Sequence, residues 1–293
     1  MEALLNRALQ LKRDLVHSIA PPLLAGRVAA LLFQKPSLRT RVSFEIGMLQ
    51  LGGHAVYLSP AEIQLGQREG GADAAQVLSR YVGVIIARVF LHEEVEGLAR
   101  HASVPVVNAL SDREHPCQIL ADLLTLREHR GALPGLVLAY VGDGNNVANS
   151  LALAAPRLGV ALRFACPGGY EPDPVLLEQA RAAAALNGGS ISLLRDPREA
   201  VDGADAIYTD AWYSMGQEGE AGPRQAVFRD YQVNSALVRL AHPDALILHC
   251  LPAHRGQEIT DEVLDGPRSV VYDQAENRLH AQKALLLWLL GRG

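Results

Sequence analysis

Short apolar runs alternate with segments of helical periodicity along almost the whole chain, and this alternation constrains the fold more than any other feature. In the first half the runs predict strands at 28–33, 54–58, 83–87 and 104–108. In the second half they predict strands at 136–141, 161–165, 191–194, 206–209 and 245–249. Apolar strands separated by helices are typical of parallel sheets covered on both faces. The predicted fold class is therefore α/β, with two doubly wound domains, each a parallel sheet flanked by helices and joined to the other by inter-domain helices.

A break in the pattern predicts where the two domains divide. Gly131 and the pair Pro134-Gly135 interrupt the chain after a long helix that runs to about His129. We therefore expect a first domain at 1–133 and a second at 134–274. The last helix, about 275–293, is strongly apolar near its end, and we expect it to pack back onto the first domain. A chain of 293 residues that is 49% hydrophobic can form both cores.

Composition excludes several classes of protein. The net charge of −5 argues against nucleic-acid binding. No apolar run is long enough to span a membrane, and the amphipathic N-terminus does not resemble a secretory signal. Cysteine occurs only at Cys117, Cys166 and Cys250, too few and too scattered for a disulfide framework, which favours a reducing compartment. We expect a cytoplasmic protein with small-molecule substrates and with no membrane or nucleic-acid partner.

The segment 34–45 carries the first candidate site. It follows the apolar strand at 28–33, and Ser37 is suited to cap the helix that comes next. The junction would bring free backbone N–H groups together with the hydroxyls of Ser37 and Thr40 and the guanidinium groups of Arg39 and Arg41. Such donors at a helix N-terminus favour phosphate binding. The alternative is a solvated basic cap on an ordinary helix. A P-loop is not indicated, because its glycines are missing.

Further polar residues directly follow predicted strands: Arg39, Arg88, His115, Asn146, Asp210 and Cys250. Taken singly, His115 could be a structural histidine and Arg88 a surface ion-pair residue. Ligands of open parallel sheets bind beyond the carboxyl ends of the strands. The shared location therefore favours a functional site.

Two cofactor hypotheses are weak. The sequence from Gly142 to Val147 invites a nucleotide-binding interpretation, but Val147 stands where the last glycine of the fingerprint is required. Cys250 and His254 could bind zinc, but no second ligand pair has metal spacing. Cys250 could also be an inert buried thiol, or a thiolate that accepts a proton from a reacting amine. We predict neither a cofactor nor a metal.

Five separated motifs resemble those of one enzyme family, the aspartate/ornithine carbamoyltransferases, and in particular its ornithine-specific members. They are Ser37-Leu38-Arg39-Thr40, similar to Ser-Thr-Arg-Thr; His115-Pro116-Cys117-Gln118, similar to His-Pro-x-Gln; the Asp-x-x-x-Ser-Met-Gly loop from Asp210 to Gly216; His249-Cys250-Leu251-Pro252; and Glu276-Asn277-Arg278. Leu38 departs from the first motif by lacking a hydroxyl, although a backbone amide at this position could still bind phosphate.

The resemblance implies a role for each matching residue. Carbamoyl phosphate would be bound by Ser37, Leu38, Arg39, Thr40, Gln64, Arg88, His115, Gln118, Cys250, Leu251 and Arg278. Ornithine would be bound by Asn146, Asp210, Ser214 and Met215. The catalytic residues would be Cys250, Arg39 and His115. In the family the loop that contains Gln64 reaches the active site of a neighbouring subunit, which implies a homotrimer.

The implied reaction is attack of the ornithine side-chain amine on carbamoyl phosphate, which gives citrulline and phosphate in arginine biosynthesis or degradation. One alternative is a carbamoyltransferase that acts on putrescine, on an N-acylated ornithine or on aspartate. The Ser-Met-Gly loop and the Cys250 motif argue against aspartate. Alternatives of other classes are a catalytically silent relative that binds carbamoyl phosphate without turnover, and an oxidoreductase with a nicotinamide or flavin.

Overall fold

The computed structural model describes residues 1–65, 69–213, 219 and 221–291. The chain forms two compact units. The first unit comprises Met1–Leu124 and Glu276–Gly293, and the second comprises Thr125–Ala275. Ser214 and Met215, two of the predicted ornithine-binding residues, lie outside the described residues.

The first unit is built on a four-stranded parallel sheet. Its strands are β1 (Val28–Phe33), β2 (His54–Leu58), β3 (Val84–Arg88) and β4 (Val106–Leu110), in the order β2-β1-β3-β4. Its helices are α1 (Glu2–Val16), α2 (Leu38–Gln50), α3 (Pro60–Ile63), α4 (Gly71–Tyr81), α5 (His92–His101), the first part of α6 (Pro116–Arg130) and most of α13 (Val271–Leu289). The two central strands, β1 and β3, are almost completely buried, as their uninterrupted apolar sequences require.

The second unit is built on a five-stranded parallel sheet. Its strands are β5 (Val137–Val141), β6 (Ala161–Ala165), β7 (Ser190–Leu194), β8 (Ala206–Thr209) and β9 (Leu246–His249), in the order β7-β6-β5-β8-β9. Its helices include α7 (Asn146–Ala154), α8 (Pro174–Ala185), α9 (Pro197–Val201), α10 (Ala221–Phe228), α11 (Ser235–Val238) and α12 (Asp261–Leu264). Buried aliphatic side chains from β5, β8 and β9 form one core with those of the helices beside them.

Each sheet contains a point at which the strand order reverses. In the first unit the chain leaves β1 for β2 on one side and returns to β3 on the other. In the second unit the same reversal separates β5 from β8. The helices that follow neighbouring strands then diverge and leave a crevice outside the carboxyl ends, where ligands of such sheets bind. The fold therefore defines one candidate binding position in each unit.

The predicted α/β fold with two parallel sheets is confirmed, and every predicted strand lies within two residues of an observed one. Helices are less well predicted. The segment 59–71 is rich in glycine and polar residues, a composition typical of loops, yet it contains α3, whose start is stabilised by a capping box between Ser59 and Glu62. The last helix begins at Val271 rather than at 275. The boundary at 133/134 stays a prediction, and the chain passes between the two units within α6 and α13.

All three cysteines are free thiols, with Cys117 and Cys166 buried and Cys250 half-buried. In the described ranges, no helix combines the length and the apolarity needed to cross a bilayer.

Candidate active site

The start of α2 lies directly after β1, beside the reversal point of the first sheet. Ser37 has extended backbone angles, and its hydroxyl oxygen accepts a hydrogen bond from the backbone N–H of Thr40 at 3.3 Å. The side chain of Leu38 is 75% exposed, while that of Thr40 is buried. This is the N-cap geometry that the sequence predicted, and it directs the N–H groups of the first turn towards the carboxyl edge of the sheet.

A buried hydrogen-bond network joins this turn to α6 and α13. The guanidinium group of Arg278 donates to Gln118 Oε1 at 2.7 Å and to Thr40 Oγ1 at 3.2 Å. Gln118 in turn donates through Nε2 to Asp122 Oδ1 at 2.8 Å. All four side chains are buried. Three residues from three separate motifs, Thr40, Gln118 and Arg278, therefore meet in the folded unit, held in fixed orientations by one another.

Positive charge is concentrated around His115, the residue that precedes α6. Burial is the largest cause that holds the pKa of His115 well below its ordinary value. The positive charges of Arg278, Arg88, Lys35 and Arg39 lower the pKa further, in that order. His115 is therefore a neutral imidazole at pH 7, with one nitrogen able to donate and one able to accept. Four cations near one buried point form a site suited to a doubly charged anion.

Arg41 and Gln64 are placed differently from the four cations around His115. The guanidinium group of Arg41 forms an ion pair with Glu45 at 3.0 Å and stacks on the ring of Tyr57 at 3.8 Å, so it is directed along α2 and towards β2. Arg41 therefore does not point into the helix-start site, and the expectation that it contributes to this site is wrong. Gln64 follows the edge strand β2, at the end of α3, where it is exposed and has a positive φ of 42°. Of the four cations around His115, in contrast, Lys35 and Arg39 follow β1, Arg88 ends β3, and Arg278 lies on α13.

In the second unit, the residues that follow β8 and β9 meet around one carboxylate. Asp210 is buried, and its Oδ1 accepts a hydrogen bond from the Cys250 thiol at 2.9 Å and from the backbone N–H of Ala211 at 2.8 Å. Its Oδ2 accepts from Asn145 Nδ2 at 2.7 Å. Asn145 follows β5 and Asp210 follows β8, so this cluster lies at the reversal point of the second sheet. The carboxylate and the thiol together are suited to a cationic ligand.

Asn145, the neighbour of the predicted ornithine-binding residue Asn146, makes a contact with Asp210. The side-chain oxygen of Asn145 caps α7 by accepting from Val147 N at 2.9 Å and from Ala148 N at 3.2 Å, which leaves its amide nitrogen to face the carboxylate. Asn146 is the first residue of α7. Asparagine is a favoured residue immediately before a helix, and this preference is the sequence signal for the position of Asn145.

The turn that carries Cys250 is fixed by a buried pair that the sequence did not reveal. His249 Nδ1 accepts a hydrogen bond from Leu251 N at 2.9 Å, which assigns the ring proton to Nε2, 3.1 Å from Glu258 Oε1. Both side chains are fully buried. Leu251 has a positive φ of 57°, a conformation that L-residues rarely adopt and that surrounding structure must hold. The His249–Glu258 pair supplies that support.

Among the described residues, one cluster could hold a metal ion, and it shares only Cys250 with the pair considered in the sequence. Asp210, His249 and Cys250 offer ligand atoms that lie within 4.8 Å of one another. However, both ring nitrogens of His249 already form hydrogen bonds within the turn. The ring of His254 stacks on Tyr213 with centroids 5.0 Å apart. The geometry therefore supports a carboxylate–thiol pair, with His249 in a structural position.

Arg224 is a further residue that sequence reasoning missed. Its guanidinium group donates to Asp143 Oδ2 at 3.0 Å and to the backbone oxygen of Trp212 at 2.8 Å, and it lies 4.9 Å from the ring of Tyr170. Arg224 thus connects α10 to the turn after β5 and to the residues after Asp210. No local pattern could reveal this contact, because 81 residues separate Arg224 from Asp143.

Comparison with known proteins identifies the family. Residues 1–128 match the carbamoyl-P binding domain of aspartate/ornithine carbamoyltransferases, and residues 134–289 match the Asp/Orn binding domain. The chain is 58% identical over 269 residues to an ornithine carbamoyltransferase of Pyrococcus abyssi, which covers 92% of this chain and 85% of that protein.

Solved structures agree. The ornithine carbamoyltransferase from Pyrococcus furiosus superposes with a TM-score of 0.96 at 54% identity, covering 98% of this chain and 92% of that one. The enzyme from Thermus thermophilus gives a TM-score of 0.89 at 53% identity, with 99% and 94% covered. The chain belongs to the aspartate/ornithine carbamoyltransferase family.

Proposed function

We propose that the protein transfers the carbamoyl group of carbamoyl phosphate to the side-chain amine of L-ornithine, giving L-citrulline and phosphate. The observation that carries this proposal is the pair of half-sites with opposite charge. Four cations surround His115 in the first unit, and Asp210 with Cys250 forms an acidic cluster in the second. Both lie at strand-order reversals. The names of the similar enzymes support ornithine as the second substrate.

Carbamoyl phosphate is the anion for the first unit. Ser37, the Leu38 amide, Arg39 and Thr40 hold the phosphate at the start of α2, where N–H groups and the helix dipole favour it. Arg88, His115, Gln118 and Arg278 surround the carbamoyl group. The contacts that the family resemblance implies for Gln64, Cys250 and Leu251 belong to the same proposal.

The positive half-site serves the chemical step as well as binding. Attack on the carbonyl carbon develops negative charge on the carbonyl oxygen, and Arg39, Thr40 and the neutral His115 donate hydrogen bonds to it. The phosphate leaves as a dianion, whose charge Arg39 and Arg88 offset. Fixed donors of this kind stabilise the transition state without having to reorganise during the reaction.

Ornithine is the cation for the second unit. Asp210 binds its α-ammonium group, while Asn146 and the Ser214-Met215 segment bind the α-carboxylate end. The side-chain amine, like that of lysine, has a pKa near 10 in water and must lose a proton before it attacks. The Cys250 thiol, which donates to Asp210 at 2.9 Å, first loses its own proton to solvent and then accepts the amine proton as a thiolate. Direct attack by the amine then forms the new C–N bond.

A substrate panel tests the proposal. Purified protein is incubated with carbamoyl phosphate and, separately, with ornithine, putrescine, aspartate or N-acetylornithine, and the carbamoylated product is measured by colorimetry. Selective turnover of ornithine is expected. If another amine is preferred, the assignment of Asp210 and of the 214–215 segment is wrong. Binding of carbamoyl phosphate by folded protein without any turnover would identify a silent relative instead.

Assembly and location complete the proposal. Through the loop that contains Gln64, we expect a homotrimer whose subunits share active sites, which sedimentation analysis of the purified protein would show. The three free thiols fit a reducing cytoplasm. A monomer with full activity would contradict the shared site.

A further inference from the structure

Lys35 is an unusual amine in this chain. Lysine occurs at only three of the 27 lysine and arginine positions: Lys12, Lys35 and Lys283. Lys35 is two residues beyond the end of β1 and two residues before Ser37, the cap of α2. It is also one of the four cations that lower the pKa of His115. Lys35 therefore lies beside the cationic half-site around His115, and no role was predicted for it.

Burial and a neighbouring positive charge lower the pKa of Lys35. The side chain is half-buried, with Nζ 5.0 Å from the centre of the Phe90 ring, a contact that by itself favours the ammonium form. Burial is the main cause that lowers the pKa of Lys35, and the positive charge of Arg88 lowers it further. Asp112 and Glu94 oppose this shift in pKa without cancelling it. Because only the unprotonated amine is a nucleophile, Lys35 is more reactive than an ordinary lysine.

The other two lysines are placed differently. Lys12 Nζ donates to Asn277 Oδ1 at 3.0 Å and lies 3.4 Å from Glu276. Lys283 is buried and donates to Gln50 Oε1 at 3.0 Å. The pKa of Lys283 is also lowered, chiefly by burial. However, its nitrogen is enclosed between α2 and α13 and bonded there. Lys35 alone combines a reactive amine with a position beside the anion half-site.

From this placement we propose that Lys35 is a site of self-carbamoylation, modified by the electrophilic carbamoyl group that the protein itself binds. The inference rests on the proposed function, which brings carbamoyl phosphate to this half-site. The donor is carbamoyl phosphate or the cyanate into which it decomposes in water.

The chemistry balances in either case. With carbamoyl phosphate, the Lys35 nitrogen forms a bond to the carbonyl carbon, the bond from that carbon to the phosphate oxygen breaks, and the departing phosphate takes the amine proton. With cyanate, the reacting form is its conjugate acid, isocyanic acid: the amine nitrogen adds to the carbon, and one proton moves from the amine to the isocyanic acid nitrogen, which gives the neutral urea. Both routes convert the ammonium group to a neutral urea, so one of the four positive charges beside His115 is lost and carbamoyl phosphate binds more weakly.

Phosphate should protect Lys35. An anion bound at the start of α2 blocks access, and its negative charge raises the pKa of Lys35 by favouring the ammonium form. Modification by cyanate is therefore fastest when the half-site is empty. Phosphate also suppresses the direct route, because it competes with carbamoyl phosphate for the same position. This protection separates a site-directed reaction from general lysine carbamoylation.

The experiment uses the purified full-length protein without ornithine. It is incubated with potassium cyanate or with carbamoyl phosphate, each with and without inorganic phosphate, and carbamoylation is followed by peptide mass spectrometry. Lys12 and Lys283 are internal controls, and the exposed α-amino group of Met1 reports the dose of reagent. Lys35 should be modified severalfold faster than either control lysine, and phosphate should slow Lys35 alone. Modification of Lys35 by carbamoyl phosphate in the presence of a reagent that consumes free cyanate would identify direct transfer.

Two results would overturn the inference: modification of Lys35 no faster than that of Lys12, or a rate at Lys35 that phosphate leaves unchanged. Citrulline formation is measured on the same preparation. If citrulline forms but Lys35 is not modified preferentially, only this inference is wrong. If no citrulline forms, the result counts against the proposed function. In Lys35→Arg, which keeps the positive charge, each sample is compared with its own starting activity. The natural protein should lose activity in step with Lys35 modification, and the variant should lose none.

Discussion

The two half-sites have the same architectural position and opposite chemistry. Each lies at the carboxyl edge of a parallel sheet where the strand order reverses. In the first unit, Arg39 and Arg88 follow β1 and β3, and the site is cationic. In the second unit, Asn145 and Asp210 follow β5 and β8, and the site is acidic. The fold thus determines where a ligand binds, while the residues that follow the strands determine its charge.

The half-sites also differ in how their key groups are held. In the first, buried side chains from three helices fix one another, with Arg278 bonded to Thr40 and Gln118. In the second, the Asp210 carboxylate accepts hydrogen bonds from a helix cap, from a thiol and from the backbone N–H of Ala211. We therefore expect changes in the first half-site to affect carbamoyl phosphate, and changes in the second to affect ornithine.

The largest effect should come from Arg39→Gln. It removes a donor and a positive charge from the point where the transition state gains negative charge, so kcat/KM for carbamoyl phosphate should fall by roughly 10²–10³. Steady-state kinetics with ornithine at saturation measure this. Arg41→Gln is the matched control on the same helical turn, because Arg41 contacts Glu45 and Tyr57 instead. Equal losses in both variants would show that the charge of α2, and not the Arg39 position, matters.

The next effect should come from Asp210→Asn, which keeps the shape of the side chain and removes its charge. KM for ornithine should rise by about 10- to 100-fold, the value of a hydrogen bond to a charged group. Binding of carbamoyl phosphate, measured by calorimetry, should stay within about twofold of that of the natural protein, since additivity holds for independent sites. A comparable loss of carbamoyl phosphate affinity would show that the two half-sites do not bind their substrates independently.

Cys250→Ala should have a smaller effect on rate and a distinctive effect on pH dependence. Water can replace the thiolate as proton acceptor, so kcat should fall by about tenfold, below the usual contribution of general-base catalysis. The rise of kcat with pH should then shift upwards, because the variant depends on ornithine that is already deprotonated. An unchanged pH profile would show that Cys250 only packs against Asp210.

The smallest effect concerns the stability of the first unit. The pKa of His280 is lowered from 6.5 to about 4, chiefly by burial and then by Lys283, with Lys12 adding to the shift and Glu276 opposing it. Below pH 6.5 the unfolded chain binds a proton that the folded chain does not, so stability falls as pH falls. His280→Gln should reduce this loss by about 1 kcal/mol between pH 6.5 and 5.5.

Urea unfolding at several pH values measures the slope, which is independent of any constant loss caused by the new amide. His17→Gln, at an exposed position after α1, is the control for a histidine-to-glutamine change at the surface. A slope in His280→Gln equal to that of the natural protein would contradict the buried, neutral state of this histidine.

The sequence predicted the sheets well and the contacts between distant residues poorly. Strands such as β1 were predictable because a parallel, doubly covered strand is apolar throughout. The four-residue helix α3 was missed because it is too short for periodicity to appear, although its capping box at Ser59 and Glu62 was visible. Local propensity could not reveal that Glu258 supports His249, because such a pair depends on the tertiary fold.

For the candidate site residues too, the sequence predicted positions after strands but not contacts between distant residues. His115, Asp210 and Cys250 were found from their places after strands, and the geometry brings each next to other polar groups in its unit. Lys35 was not singled out, because a lysine after a strand is ordinary until its burial beside Arg88 is known. The contact of Asn145 with Asp210 was not predicted, because it depends on how the cap of α7 lies beside the residue that follows β8.

The two-sided bonding of Asn145 also has a consequence for chemical ageing. Its oxygen caps α7 and its nitrogen faces Asp210, so the side chain works only as an amide. Hydrolysis of that amide to a carboxylate would leave the cap intact, because a carboxylate oxygen accepts the same backbone bonds, but it would place two negative charges face to face. A deamidated molecule would then stay folded and soluble while its acidic pocket is deformed, so old protein could lose activity without any sign of unfolding.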